Sequence, residues 1–260
     1  MSEGKLIYEK ADSRARIVFD NPRAHNALTH EMWRELGELC RRVAADPDIR
    51  VVTFRGAGGK AFISGTDISG FADFKSGQDG IAYERGIDEY MAAVESLPMT
   101  TIAVIEGWAV GGGLNIMSAC DFRVATNDAM FGSPLGRTIG NCLSMRSYAR
   151  LARAIGISAA KRMLLLGEMV SAHELFDAGV LHSVVARPEL DATVDALCAR
   201  AAENAPLTTR VTKEAMRRLA YADLPDIDDL IDLVYGSEDF RTGVRNFLDK
   251  NKTPPRWRGK

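Results

Sequence analysis

Two short stretches of this sequence combine small residues, glycines and an incipient helix so that backbone N–H groups are left facing outward. The first is Lys60-Ala61-Phe62-Ile63-Ser64-Gly65-Thr66-Asp67-Ile68. A strand feeds a small-residue turn there, and Asp67 can cap a short helix beginning near Ile68. N–H groups at a helix start have no partner within the helix and favour negative charge. The second is Glu106-Gly107-Trp108-Ala109-Val110-Gly111-Gly112-Gly113-Leu114-Asn115. Its three consecutive glycines before a helix let a ligand approach the backbone closely and again aim N–H groups outward. One such loop serves equally well as a plain strand–helix connection. Two of them supply a pair of donors able to grip one developing oxyanion.

The elements that must position these loops read as an α/β layered fold. Leu6-Ile7-Tyr8 and Ala15 to Asp20 form an antiparallel strand pair around Asp12-Ser13-Arg14. Thr29 caps a helix whose Met32, Leu36, Leu39 and Val43 share one face, and Asp46-Pro47 ends it. Ile49 to Phe54 is a strand followed by the turn Gly56-Ala57-Gly58-Gly59, and Thr101 to Ile105 is a strand buried on both faces. The glycine run leads from it into an apolar helix through Met117, and Phe122 to Ala125 is a further strand. From about Leu143 the chain is mostly helical, near Ser158–Leu166, Ala172–Ala178, Glu189–Glu203 and Leu207–Leu219. Leu207, Val211, Ala215 and Leu219 make one apolar stripe. Asp226–Asp232 and Gly236–Lys250 also read as helical, and a tail helix on a complete core suits a partner subunit.

Composition narrows the function classes. With 260 residues, 46% hydrophobic and 26% charged, the chain suits one compact domain. A net charge of -2 gives no broad attraction for nucleic acid or an anionic membrane, so local basic residues must hold an anionic ligand. No run approaches a membrane span, and the N-terminus lacks an apolar targeting segment. Cys40, Cys120, Cys142 and Cys198 are scattered, which disfavours a disulfide framework or a metal site and fits a reduced cytoplasm. None of His25, His30, His173 and His182 forms a metal-spaced pair. Only Cys142, in a Gly/Asn-flanked loop, is a candidate to line a pocket.

The two segments KAFISGTDI and GWAVGGGLNIMSACD resemble the oxyanion-hole segments of the crotonase superfamily, the enoyl-CoA hydratase/isomerase family. Asp20-Asn21-Pro22-Arg23-Ala24-His25-Asn26-Ala27-Leu28, Phe131-Gly132-Ser133-Pro134 and Ser237 through Lys250 match three further family stretches in order. The resemblance implies a crotonase-like spiral of ββα turns over residues 1–200 and a C-terminal helical trimerisation region over 201–260. It implies a homotrimer, or a homohexamer built as a dimer of trimers. The CoA thioester is then the substrate, with no separate cofactor, and its enolate is held by the amides of Thr66 and Gly112. By the same mapping Arg23, Lys60, Phe247 and Lys250 reach CoA, and pantetheine runs along the backbone of Ala61, Ile63, Asp67 and Ile68. Asn141 falls in the loop that closes the pocket in relatives, with Ser133 and Arg137 as weaker pocket candidates. Trp108, just before the glycines, is expected to report ligand binding by fluorescence.

Two departures limit what carries over. Hydratases of the family place one glutamate where this chain has Asn115 and another where it has Leu135. Neither an amide nor leucine exchanges protons with water and carbon, so ordinary hydration should be crippled. Asn115 either hydrogen-bonds a substituent of the substrate or braces its turn. Three outcomes fit. One is another reaction on the same enolate, such as decarboxylation of a malonyl-type CoA, thioester hydrolysis or isomerisation. A second is a hydratase or isomerase with relocated acids, drawn from Asp73, Glu84, Asp88 and Glu89. The third is a catalytically weak acyl-CoA-binding subunit.

Overall fold

The structure, a computed structural model, describes residues 4–224 and 226–249. Lys5–Ala11 (β1) and Arg14–Asp20 (β2) form the expected antiparallel pair, turning at Asp12 with φ of 50°. In α1 (His30–Ala44) the Thr29 hydroxyl accepts from the Met32 N–H at 3.1 Å, and Met32, Leu36, Leu39 and Val43 are buried.

The chain then repeats a unit of two strands and a helix. The first turn is β3 (Val51–Gly56), β4 (Ala61–Ile63) and α2 (Gly77–Glu95). The second is β5 (Thr100–Ile105), β6 (Trp108–Val110) and α3 (Gly112–Ala119). The third is β7 (Phe122–Thr126), β8 (Met130–Gly132) and the short α4 (Leu135–Thr138). Then follow α5 (Met145–Ile155), α6 (Ile157–Leu165), β9 (Val170–Ser171), α7 (Ala172–Asp177), β10 (Ser183–Val185) and α8 (Leu190–Ala202). The last helices described are α9 (Pro206–Tyr221), α10 (Asp228–Tyr235) and α11 (Glu238–Leu248).

In each turn the first strand enters a six-stranded sheet, β1-β2-β3-β5-β7-β10, and the second enters a four-stranded sheet, β4-β6-β8-β9. Apart from β1 against β2 and β9 against β8, all pairings are parallel. This is the ββα spiral. All six residues of β5 are buried, as a parallel strand covered on both faces requires.

Two local expectations change. The glycine run does not follow Thr101–Ile105 directly, because β6 intervenes; strands of three residues are too short for alternation to register. The helix expected near Ile68 is a five-residue 3-10 segment, Ser69–Asp73. Asp67 Oδ1 accepts from Ser69 N at 2.9 Å, a local turn that competes with a longer helix.

The helices after residue 201 play two different parts. Helix α9 turns its stripe outward: Leu207, Val211 and Leu219 are 71%, 66% and 77% exposed. By contrast α10 and α11 fold back over α2 and the 3-10 segment. There Ile231, Tyr235, Phe240 and Val244 join Ile68, Phe71, Ile81 and Ile139 in one cluster. Gly80 of α2 permits this approach, since a Cβ there would stand 2.1 Å from the Tyr235 ring.

Candidate active site

The two loops face each other across a cavity of about 160 Å³, walled by Thr66, Gly112, Asn115 and Asn141 together with Glu84, Ser147 and several apolar side chains. Residue Leu28 forms a parallel bridge with Thr66: Leu28 N donates to Gly65 O at 3.0 Å, and Asp67 N donates to Leu28 O at 2.8 Å. That pairing skips the Thr66 N–H, which has no acceptor among the described residues. The amide is thus freed by strand-like pairing rather than by a helix start. In the second loop Gly111 has φ of 51° and ψ of -109°, a backbone shape suited to glycine, and its N–H donates to Gly132 O at 3.0 Å. Gly112 follows as the first residue of α3, where an N–H has no intrahelical acceptor. A Cβ on Gly112 would come within 2.9 Å of Thr66 Oγ1 and 3.1 Å of the Trp33 ring, so the loops abut with no room for a side chain.

The Thr66 hydroxyl accepts from Trp33 Nε1 at 3.3 Å. Trp33 is buried in the cavity wall, whereas Trp108 is 47% exposed on β6 and lies outside it. The optical reporter is therefore Trp33. Binding of an acyl-CoA should change tryptophan emission in the parent and in Trp108→Phe, and Trp33→Phe should abolish the change. A signal that survives Trp33→Phe and disappears with Trp108→Phe would reverse this assignment.

Of Asp73, Glu84, Asp88 and Glu89, Glu84 alone lines the cavity. Asp73 and Glu89 are exposed, and Asp88 accepts from Ser144 Oγ at 2.8 Å one helical turn away. Glu84 is 2% exposed. Its Oε1 accepts from the Tyr235 hydroxyl at 2.8 Å, and Oε2 accepts from the Ser144 N–H at 2.7 Å. Burial pushes its carboxyl up to about 7; the two hydrogen bonds pull the other way, and the Asp88 charge adds to the rise. Burial likewise raises the Tyr235 hydroxyl, so it stays a donor.

Asn115 is buried at the start of α3 and fixed by its surroundings: Arg150 Nη1 donates to its Oδ1 at 2.7 Å, and its Nδ2 donates to Ser147 Oγ at 3.3 Å. Asn141 donates to the Tyr235 oxygen at 3.3 Å, while its buried Oδ1 has no partner among the described residues. Leu135 and Ser133 also line the cavity; Arg137 is exposed and outside it. Cys142 is not in the wall either, though its carbonyl accepts from Tyr235 at 3.2 Å.

A family model described as enoyl-CoA hydratase/isomerase matches residues 9–260. The chain belongs to that family. The crotonyl-CoA hydratase of Syntrophomonas wolfei is 29% identical over 259 residues, covering 97% of this chain and 98% of that protein. The (E)-benzylidenesuccinyl-CoA hydratase of Thauera aromatica is 34% identical over 214 residues, covering 81% of each. A solved methylmalonyl-CoA decarboxylase in complex with 2-nitronate-propionyl-CoA superposes with a TM-score of 0.89 over 98% of each chain. At 24% identity it establishes the crotonase fold and nothing more. Enzymes of this crotonase family act on CoA thioesters.

The residues assigned to CoA are dispersed. Ile68 and Phe247 line the cavity, the latter 50% exposed. Arg23 and Lys60 are exposed on the segments leading to it, as is Asp67. Ala61 and Ile63 are fully buried in β4, and the Ala61 carbonyl already accepts from Asn26 Nδ2 at 2.8 Å. Lys250 lies outside the described residues. Among the described residues no three His, Cys, Asp or Glu side chains gather as for a metal ion, and no helix is long and apolar enough to cross a membrane.

The raised Glu84 carboxyl has a consequence for stability. Its ordinary value is 4.5 and its folded value about 7. Between the two the folded chain holds a proton that the unfolded chain has lost, so stability falls as pH rises through this window. Glu84→Gln should be nearly neutral at about pH 4.5 and stabilise the protein by about 2–3 kcal/mol at about pH 8. Urea unfolding at both pH values checks the sign; a difference independent of pH would mean that the carboxyl titrates normally.

Proposed function

We propose that this crotonase-family protein moves a proton at the α carbon of an acyl-CoA thioester, with Glu84 as the group that takes and returns it. The thioester oxygen accepts hydrogen bonds from the Thr66 and Gly112 N–H groups. As the α C–H bond breaks, negative charge builds on that oxygen, where two oriented donors stabilise it without rearranging. Ionised Glu84 receives the proton, and the protonated carboxyl delivers it to carbon or oxygen later in the cycle. This is hydratase/isomerase chemistry with its acid relocated to α2, and it supplies what Asn115 and Leu135 cannot.

The observation that carries the reading is Glu84: a buried carboxyl titrating near neutrality in the cavity that holds both amides. In the same reading Arg23, Lys60, Phe247 and Lys250 serve the CoA moiety. The outward stripe of α9 serves self-association into a trimer or hexamer, and the protein works in the cytoplasm.

The test is deuterium incorporation at the α carbon of butyryl-CoA in heavy water, followed by NMR. The parent should exchange the α proton and Glu84→Gln should not. Equal exchange by both would sink the assignment of Glu84.

A further inference from the structure

Glu84 stands between two cavities. Besides the site already described, it lines a second one of about 480 Å³, walled by α2, the start of α5, the end of α9 and the start of α10. Among the described residues it is the only one that lines both. The rim of the second cavity carries the exposed side chains of Arg85, Asp223 and Asp226, so water reaches it.

The groups between Glu84 and that water converge on one residue. Ser144 caps α5, and its N–H donates to Glu84 Oε2 at 2.7 Å. Its hydroxyl donates to Asp88 Oδ1 at 2.8 Å. Two carboxyls are thus held by the adjacent N and Oγ of a single serine. Asp88 follows Glu84 by four residues, on the same face of α2. Asp88 and Ser144 line the second cavity and not the first. Burial raises the Asp88 carboxyl, against the pull of the Ser144 bond and of the Arg150 and Arg146 charges. The rise brings it nearer to Glu84, which eases the passage of a proton between them.

An acyl-CoA seated in the first cavity, as in the preceding reading, leaves little of its 160 Å³ for water. The enolate stays bound until it is protonated again. For a solvent deuteron to reach the α carbon, Glu84 must lose the proton it took and gain another while the ligand is in place.

We infer that Glu84 exchanges protons with solvent through the second cavity, and that Asp88 passes them. The proton taken from carbon moves from Glu84 across one cavity water to ionised Asp88, and from there to bulk water. A solvent deuteron travels the reverse way, so the charges of both carboxyls are restored. Asp88 acts only through Glu84 and touches no substrate. The inference rests on the preceding assignment of Glu84 as the base.

Deuterium exchange into butyryl-CoA tests the relay and the base in separate arms. Asp88→Asn keeps an oxygen for the Ser144 hydroxyl but carries no proton. It should slow exchange by about 10²-fold, the low end of a proton-transfer group's worth. Affinity for butyryl-CoA and the melting temperature should stay nearly unchanged. Asp88→Ala should be as slow, and formate added at rising concentration should restore its rate. A small acid entering the open cavity replaces the missing carboxyl, whereas formate should leave Glu84→Gln inert. A merely structural Asp88 would lower the melting temperature and gain nothing from formate. Exchange as fast in Asp88→Asn as in the parent would overturn the relay, and so would a slow Asp88→Ala that formate does not restore. Either result spares Glu84 as the base if Glu84→Gln is slower than the parent; equal rates in those two overturn the base itself.

Discussion

Replacing Glu84 with Gln should lower α-proton exchange and any hydration of crotonyl-CoA by about 10²–10⁴-fold, the usual worth of a general acid–base group. Affinity for the acyl-CoA should change little, because the amides of Thr66 and Gly112 remain and Gln keeps an oxygen for the Tyr235 hydroxyl. The pH profile should carry the same signature. Proton abstraction requires the ionised carboxyl, so exchange should climb with pH and level off above about 7, the value to which burial pushes Glu84. Glu84→Asp should retain a fraction of the rate with a shifted profile. If Glu84→Gln kept full activity while the protein released carbon dioxide from a malonyl-type CoA, the pocket would be using its oxyanion hole without a base, and the proposed role of Glu84 would fall.

Gly112→Val should lower exchange by about 10²–10³-fold, the cost associated with losing one oxyanion-hole donor. The new side chain would press on Thr66 Oγ1 and the Trp33 ring, closing the gap into which the thioester oxygen must fit. Those neighbours are side-chain atoms at a cavity edge, so the melting temperature should drop only modestly. Gly113 makes the opposite control. A Cβ there would stand 2.4 Å from the Ile63 carbonyl, a backbone atom with nowhere to go, so Gly113→Ala should chiefly cost stability. Thermal unfolding and exchange kinetics on the two variants separate the roles. Full activity in Gly112→Val would reduce that glycine to a packing residue.

The parts of this site legible in the sequence are those written in contiguous residues. Both amide loops, the Thr29 cap and the apolar face of α1 depend on neighbours a few positions apart, and local geometry carries them into the structure. Thr66, Gly112, Asn115 and Asn141 accordingly meet in one cavity. What stayed hidden depends on packing. Asp73, Glu84, Asp88 and Glu89 look alike in sequence; burial against α10 singles out Glu84, and no spacing rule registers that. A signal for α2 itself was present, since Ser76 and Asp79 form a capping box at its start. Tyr235 lies 151 residues from the carboxylate it bonds, and Arg150 lies 35 from the amide it orients. The short strands of the second sheet are set by their parallel partners, which a reading of one segment at a time does not weigh. Trp108 adjoins the glycines in sequence, whereas the fold brings Trp33 to Thr66.

The return of α10 onto α2 makes the order of synthesis matter. A chain that has left the ribosome as far as α8 already contains both amide loops, Glu84, Asn115 and Arg150. It lacks the Tyr235 hydroxyl that donates to Glu84 Oε1 and the aromatic rings that join Phe71 in one cluster, so its glutamate would be without one of its two hydrogen-bond donors. The surroundings of the cavity carboxyl are therefore complete only once α10 is in place, and the last helices to be made act as the quality stamp on everything translated before them.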